Sequence, residues 1–417
     1  MKSYIIEGGK KLEGTVKVNG SKNASLPILA ATILNGNSNR LYNVPNIKDT
    51  KISLEILKLL GCKIKRNSDK IEIDSKYITH TEIPEHLMRE MRSTVVLAGA
   101  ILGRFKEVTF SYPGGCDIGA RPIDLHLNAF KKLGIDITED AGFIKCKANK
   151  IIGTNIDLDF PSVGATVNTI LAAVFAEGTT TINNAAMEPE IIDLVNFLKK
   201  MGAKIEGAGT IKITVKGVKR LSGTSYNIMP DRIEAGTLLC ATAASGGKIL
   251  LNDANPNHLS AVINKLEECG CEIQTTNNTI SLNAPKRLKP IEIKTLPYPG
   301  FPTDLQQIFS AMLIKSTGTS VIIENIFENR FKYLSELRKM GAKITTEGKT
   351  AVITGTKRIV SANTICTDIR GGAALVVAAL MAKGKTKVQN IEYILRGYED
   401  LDKKLNSLGA KVNLEEI

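Results

Sequence analysis

The sequence predicts an α/β protein built from six repeated helix–strand–helix–strand–strand units, three to a domain. Three observations carry that prediction. A short amphipathic pattern ending in glycine and running into a strand occurs six times. A helix pattern of small apolar residues precedes each copy, and the first 20 or so residues hold the strand pattern that the last copy lacks.

In chain order the amphipathic copies are LEILKLLGCKI, LNAFKKLGIDI, VNFLKKMGAKI, INKLEECGCEI, LSELRKMGAKI and DKKLNSLGAKV. Apolar residues recur at helical spacing, glycine falls where a left-handed C-cap is needed, and alternation then takes over, so each copy reads helix, turn, strand. The glycines are Gly61, Gly134, Gly202, Gly270, Gly341 and Gly409, spaced by 73, 68, 68, 71 and 68 residues. Solenoid repeats run to about 20–50 residues, so each unit is instead a small α/β module. The preceding helices are SKNASLPILAATIL, MRSTVVLAGAIL, SVGATVNTILAAVFA, DRIEAGTLLCATAA, FPTDLQQIFSAMLI and IRGGAALVVAALMA. They are apolar nearly all round and should be buried. A short strand follows each, as in TTTINNA and TSVIIEN, and hairpins such as IKITVKGVKRLSGTSYNIMP are expected to link successive units.

The sixth copy stops at GAKVNLEEI, one strand short, and YIIEGGKKLEGTVKVNG reads as the missing hairpin. The expected domains are therefore 22–229, and 1–21 plus 230–417, hinged near 19–22 and Pro230. A ligand site is expected in the cleft between two such domains.

Composition narrows the function. The chain has 417 residues, 43% hydrophobic and 23% charged, which is ordinary globular usage. It has no apolar run of about 18 residues, and MKSYIIEGGKKLEG lacks a signal peptide's apolar core, so a soluble cytoplasmic protein is expected. Seven cysteines, an odd number, argue against a disulfide framework. The net charge is +13, yet tryptophan is absent, aromatics are 5% and lysines are spread throughout, which speaks against nucleic-acid binding. The charge is either a solvated surface or an attraction for small anions. There is no GxxxxGK[ST] loop and no GxGxxG after a strand, and His80, His86, His126 and His258 offer no metal spacing. No metal and no cofactor are expected.

One copy breaks the repeat. From the glycine before the strand to the glycine ending the next helix, five copies span 23 to 25 residues, but Gly103 to Gly134 spans 31. The surplus falls in SYPGGCDIGARPIDLH, residues 111 to 126, a Gly/Pro-rich loop of the kind that forms lids. It carries Cys116. The other six cysteines lie in helix or strand patterns, or directly after capping glycines, and read as small buried hydrophobes.

Further candidates sit at equivalent places in the repeat. Lys22 and Asn23 open the first small-residue helix, Arg92 the second, Ser162, Val163 and Gly164 the third, Asp231 the fourth, Asp304 the fifth and Arg370 the sixth. Arg121, Arg330 and Arg396 stand in loops after strands. Helix starts present free N–H groups to phosphate, and arginine grips phosphate or carboxylate with two bonds. Blander readings exist. Asp231-x-x-Glu234 and Thr303-x-x-Gln306 match capping boxes, Asp304 alone could complement a helix dipole, and single loop arginines are commonly solvated.

Asn19-Gly-Ser-Lys22-Asn23-Ala-Ser, Pro113-Gly-Gly-Cys116, Ile118-Gly-x-Arg121-Pro122, Ser162-Val-Gly-Ala-Thr166, Phe301-Pro-Thr-Asp304, Glu328-Asn-Arg330-Phe and Arg396-Gly-Tyr run in order along the whole chain. On these residues it resembles the enolpyruvyl transferases of the EPSP synthase family, in the branch that acts on UDP-N-acetylglucosamine. The resemblance implies two inside-out α/β barrel domains of three units each. It also implies transfer of enolpyruvyl from phosphoenolpyruvate to the sugar's 3-hydroxyl by addition and elimination, opening peptidoglycan precursor synthesis, in a monomer without cofactor. Cys116 would then be the general acid at the phosphoenolpyruvate methylene and Asp304 the general base. Lys22 and Arg396, with Arg121 and Arg92, would hold phosphate and carboxylate, with Arg330 and Arg370 beside them. Asn23 would contact the sugar or the intermediate, while Arg121, Pro122, Ile123, Asp124, Leu125, Ser162, Val163, Gly164 and Ile326 would line the uridine-diphosphate site. Some members carry a basic residue where this chain has Phe160, so any diphosphate contact from that side chain is lost. The alternatives are the sister activity on shikimate 3-phosphate, whose enzymes lack the cysteine loop, and a non-catalytic nucleotide-sugar binder.

Overall fold

The computed structural model describes residues 2–67, 70–114 and 123–416. Its internal contacts divide the chain into two compact units. Among the described residues, one is formed by 20–114 with 123–229 and the other by 2–19 with 230–416. The backbone passes from one to the other at Asn19–Gly20 and at Met229–Pro230.

In the first unit the three small-residue helices, Lys22–Ala31, Val96–Phe105 and Val163–Ala173, are buried on nearly every side and form the centre of the core. Small residues let them meet backbone to backbone. A Cβ built at Gly99 would lie 2.5 Å from the Asn168 carbonyl, and one at Gly103 2.5 Å from that of Leu171. The amphipathic helices Lys48–Leu60, Asp124–Lys132 and Pro189–Met201 each bury one face against this core. The second unit repeats the plan around Arg232–Ser245, Thr303–Leu313 and Ile369–Met381. All six glycines placed at C-caps have positive φ, from +81° at Gly134 to +114° at Gly61.

The sheets show how each repeat hands over to the next. Thr179–Asn183 pairs antiparallel with Lys212–Lys216, which pairs with Lys204–Glu206, and these three strands belong to one repeat. The fourth strand, Asn155–Asp157, comes from the preceding repeat and runs parallel. Ser225–Asn227 passes onward in the same way to pair with Ser38–Tyr42. In the sheet of Glu107–Ser111 the visiting strand shrinks to a single parallel bridge, Glu82 to Thr109.

Two expectations about hairpins are corrected here. Residues 211–230 form no hairpin, because Lys212–Lys216 and Ser225–Asn227 lie in different sheets. The N-terminal stretch supplies two strands, also in different sheets. Lys2–Glu7 sits between Lys385–Gln389 and Val412–Glu416, antiparallel to both, whereas Glu13–Lys17 runs parallel to Lys248–Asn252. Alternation identifies a half-buried strand but carries no signal for its partner, and a parallel partner must be reached by crossing over. The repeat pattern leaves out helix Glu85–Glu90 and runs the 3-10 helix Arg92–Val95 together with the second core helix, which begins only at Val96.

Candidate active site

The candidates of the second unit gather at one helix start. Pro302 stands at the N-cap of Thr303–Leu313, and Asp304 lies in its first turn. Asp304 Oδ1 accepts from Arg330 Nη2 at 2.6 Å, and Oδ2 accepts from Arg370 Nη2 at 3.1 Å and from Nε at 3.3 Å. Both arginine side chains are only 5% exposed, whereas that of Asp304 is 28% exposed, so the carboxylate is the open end of the cluster. Arg370 is held by its own helix start, where Asp368 caps Ile369–Met381 by accepting from the Arg370 and Gly371 amides at 3.0 and 2.9 Å. Burial works against the Arg370 charge, but Tyr398 and Asp304 more than offset it and hold the guanidinium above its ordinary range. Among the described residues its buried Nη1 has no hydrogen-bond partner. Arg396 closes the 3-10 helix Ile394–Arg396, and the next residue, Gly397, lies against Arg370, with Nη1 3.6 Å from a Cβ built there.

Both capping-box readings change. Thr303 and Gln306 form no capping box. Thr303 lies inside the helix and donates its hydroxyl to Glu324 Oε2 at 2.8 Å, while Gln306 Nε2 donates to the Arg330 carbonyl and its Oε1 accepts from Tyr333. Asp231 does cap Arg232–Ser245, accepting from Ile233 and Glu234 amides, but Glu234 completes no box. It accepts instead from the Asn19 amide at 2.7 Å and from Lys404 Nζ at 2.7 Å. Ile326 lies half-buried in a loop pinned by Glu324, whose Oε1 accepts from the Ile326 amide at 2.8 Å.

In the first unit Lys22 is the first residue of its helix, behind the Ser21 cap, with half-buried Asn23 next to it. Lys22 Nζ lies 2.8 Å from Asp49 Oδ2, and the two side chains are 10% and 1% exposed. Arg92 opens the 3-10 helix rather than the α-helix that follows. Ser162 caps Val163–Ala173 by accepting from the Ala165 amide at 3.3 Å, leaving Val163 exposed and Gly164 half-buried. Ile123 is buried before helix Asp124–Lys132, where Asp124 is exposed and Leu125 half-buried. Phe160 is 43% exposed and offers no charge. Cys116, Arg121 and Pro122 lie outside the described residues. The other six cysteines are all buried thiols, and burial pushes those of Cys62, Cys146, Cys269 and Cys271 up to about 12.

Asp49 and Glu324 were missed by sequence reasoning. Asp49 gave only an acidic residue in a helix's first turn, and Glu324 only the end of a strand pattern. Among the described residues no group of three or more His, Cys, Asp or Glu could hold a metal, and no helix is long and apolar enough to cross a membrane.

The chain is thus a protein of two three-helix α/β units in which Lys22, Asp304 and Arg370 stand at helix starts. The chain belongs to the EPSP synthase (3-phosphoshikimate 1-carboxyvinyltransferase) family, whose model matches residues 6–405. It is 51% identical over 413 residues to UDP-N-acetylglucosamine 1-carboxyvinyltransferase 2 of Caldanaerobacter subterraneus subsp. tengcongensis, covering 99% of each chain. It is 46% identical over 414 residues to UDP-N-acetylglucosamine 1-carboxyvinyltransferase of Clostridium botulinum, again covering 99% of each. Its fold is similar to that of the enolpyruvyl transferase NikO from Streptomyces tendae, with a TM-score of 0.89 at 22% identity over 99% of this chain and 98% of that one. It is also similar to EPSP synthase from Acinetobacter baumannii, with a TM-score of 0.77 at 17% identity over all of both chains.

Proposed function

We propose that the chain transfers the enolpyruvyl group of phosphoenolpyruvate to the 3-hydroxyl of UDP-N-acetylglucosamine and releases phosphate. The observation that carries this reading is Asp304, a partly open carboxylate gripped by two buried arginines. Relatives of that name, near half-identical along the whole chain, support the choice of acceptor over shikimate 3-phosphate. In the addition step the sugar oxygen bonds to C2 of phosphoenolpyruvate and C3 takes a proton from Cys116. Asp304 accepts the hydroxyl proton. In the elimination step C3 returns a proton to the Cys116 thiolate, the C2–O bond to phosphate breaks, the leaving phosphate takes up the proton held by Asp304 and the enol ether forms. Lys22, Arg92, Arg121, Arg370 and Arg396 hold phosphate and carboxylate, and Arg330 holds Asp304. Asn23 contacts the sugar. Pro122, Ile123, Asp124, Leu125, Ser162, Val163, Gly164 and Ile326 form the nucleotide site. The reaction would belong to the cytoplasm and to the first committed step of peptidoglycan precursor synthesis, carried out by a monomer.

The test is phosphate release from phosphoenolpyruvate with UDP-N-acetylglucosamine in one tube and shikimate 3-phosphate in another. Release with the sugar nucleotide alone, lost in Cys116→Ala with unchanged circular dichroism, is the expected result. Release with shikimate 3-phosphate would transfer the chain to the sister activity. Silence in both tubes from folded protein would make it a non-catalytic binder.

A further inference from the structure

Asn168 is fully buried in the third core helix of the first unit, where a polar side chain is unexpected. Its carboxamide is fully used. Oδ1 accepts from the Gly99 amide at 2.9 Å, and Nδ2 donates to the Val95 carbonyl at 2.9 Å. Val95 and Gly99 are four residues apart, so Asn168 clips onto the first turn of the neighbouring core helix, directly after the 3-10 helix that Arg92 opens. Gly99 is required by this clip, since a Cβ there would lie 2.6 Å from Asn168 Oδ1.

The same Nδ2 lies 2.7 Å from His126 Nδ1. Because Oδ1 is taken by an N–H and Nδ2 by a carbonyl, the amide orientation is fixed, and Nδ2 must be the donor to His126. The ring nitrogen Nδ1 is therefore an acceptor, and the neutral imidazole carries its proton on Nε2. His126 belongs to the first turn of Asp124–Lys132 and is 7% exposed. The far edge of its ring abuts Gly164, where a Cβ would come within 2.9 Å of Cε1 and 3.0 Å of Nε2. Gly164 and Asn168 are four residues apart and so share one helix face. One buried amide thus ties together three segments, those carrying Arg92, Asp124–Leu125 and Ser162–Gly164.

We propose that Asn168 and His126 are positioning residues that set the register of these three segments and thereby the affinity for the nucleotide sugar. The inference rests on the substrate reading above. It calls for no contact between either side chain and the substrate. Displacing a binding segment by about 1 Å can cost a hundredfold, so a loss of binding is expected without loss of fold.

His126→Asn leaves an acceptor for Asn168 but withdraws the ring from Gly164. Asn168→Asp keeps the acceptor for Gly99 and removes both donors. In each full-length variant KM for UDP-N-acetylglucosamine should rise about tenfold or more, with kcat within about threefold and the thermal midpoint of His126→Asn nearly unchanged. Gly164→Ala should also raise that KM. Combined with His126→Asn it should do no further harm, because the ring it would strike is gone. An unchanged KM in His126→Asn, a drop only in thermal stability, or strictly additive losses in the double variant would overturn the proposal. If Asn168→Asp fails to fold, His126→Asn and the double variant decide. Wild-type protein silent with UDP-N-acetylglucosamine would instead bring down the substrate reading itself.

Discussion

Asp304 gives both carboxylate oxygens to arginine N–H groups, and its open end keeps a lone pair with which to take a proton from a substrate hydroxyl. Asp304→Asn preserves the shape and one acceptor while removing the ability to hold that proton. Turnover should fall by about a hundredfold to ten-thousandfold, and the thermal midpoint should fall as well, because the new NH2 group faces an arginine donor and buried guanidinium charge loses its partner. A variant with near-normal kcat would reduce Asp304 to an anchor for Arg330 and Arg370. The position of this residue was legible because helix starts recur in the repeat. Its surroundings were not. The Thr303–Gln306 spacing imitates a capping box, yet Thr303 turns to Glu324 and Gln306 to the Arg330 loop. Lys22 likewise pairs with Asp49 across 27 positions of chain. Local spacing describes what a helix end can do for itself, and these side chains are spent on partners that only the fold brings near.

At the level of single elements, the helix-ending glycines were readable and their unequal constraints were not. Gly202 has φ +106° and nothing within 4 Å of a built Cβ, so Gly202→Ala should cost only the left-handed backbone, about 1–2 kcal/mol. Gly61 has φ +114° and would also press its Cβ to 2.5 Å from the Tyr77 carbonyl, so Gly61→Ala should cost more. Equal urea midpoints for the two variants would contradict this ordering. Helix Pro189–Met201 adds a pH dependence. Burial pushes the Asp193 carboxyl up to about 6, although the Tyr226 hydroxyl and the Met229 amide donate to it. Between the ordinary carboxyl value of 3.8 and about 6 the native state binds more proton than the unfolded chain, so stability is greatest at the acid end and falls as pH rises. The contribution is on the order of 2–3 kcal/mol, and Asp193→Asn should flatten that part of the curve. Denaturation at pH 4.5 and 7 that shows the same slope in both proteins would contradict the assignment. Nothing in the local pattern signalled Asp193, which sits in an otherwise regular amphipathic helix.

Across the whole chain the sixfold repeat departs from its plan in the long loop of its second copy and again in its sixth copy, which is divided between the two ends. Lys2–Glu7 is an inner strand of a sheet whose other members come from residues 363 to 416, and Lys2 lies opposite Glu416 in the antiparallel register. The division was legible because GAKVNLEEI stops one strand short; the separate destinations of Lys2–Glu7 and Glu13–Lys17 were not, since both read as plain alternation. A stronger claim follows from the pairing itself. If the repeat is the folding module, its strands should assemble whichever way the chain is threaded. Joining the ends through an Asn-Gly turn would make Val412–Glu416 and Lys2–Glu7 a continuous hairpin. New ends belong between Gly9 and Lys10, which are both exposed, whereas Gly8 packs against the Ala379 and Ala382 carbonyls and Leu12 is buried. The permuted protein should fold, keep its activity and melt within about 5 °C of the parent. Deleting residues 2–9 instead removes the inner strand and should leave the second unit unable to fold, because Val412–Glu416 then has no neighbour. An insoluble permutant would mean that assembly depends on how the chain is threaded, and a soluble deletion with native circular dichroism would mean that the N-terminal strand is an ornament on a sheet that stands without it.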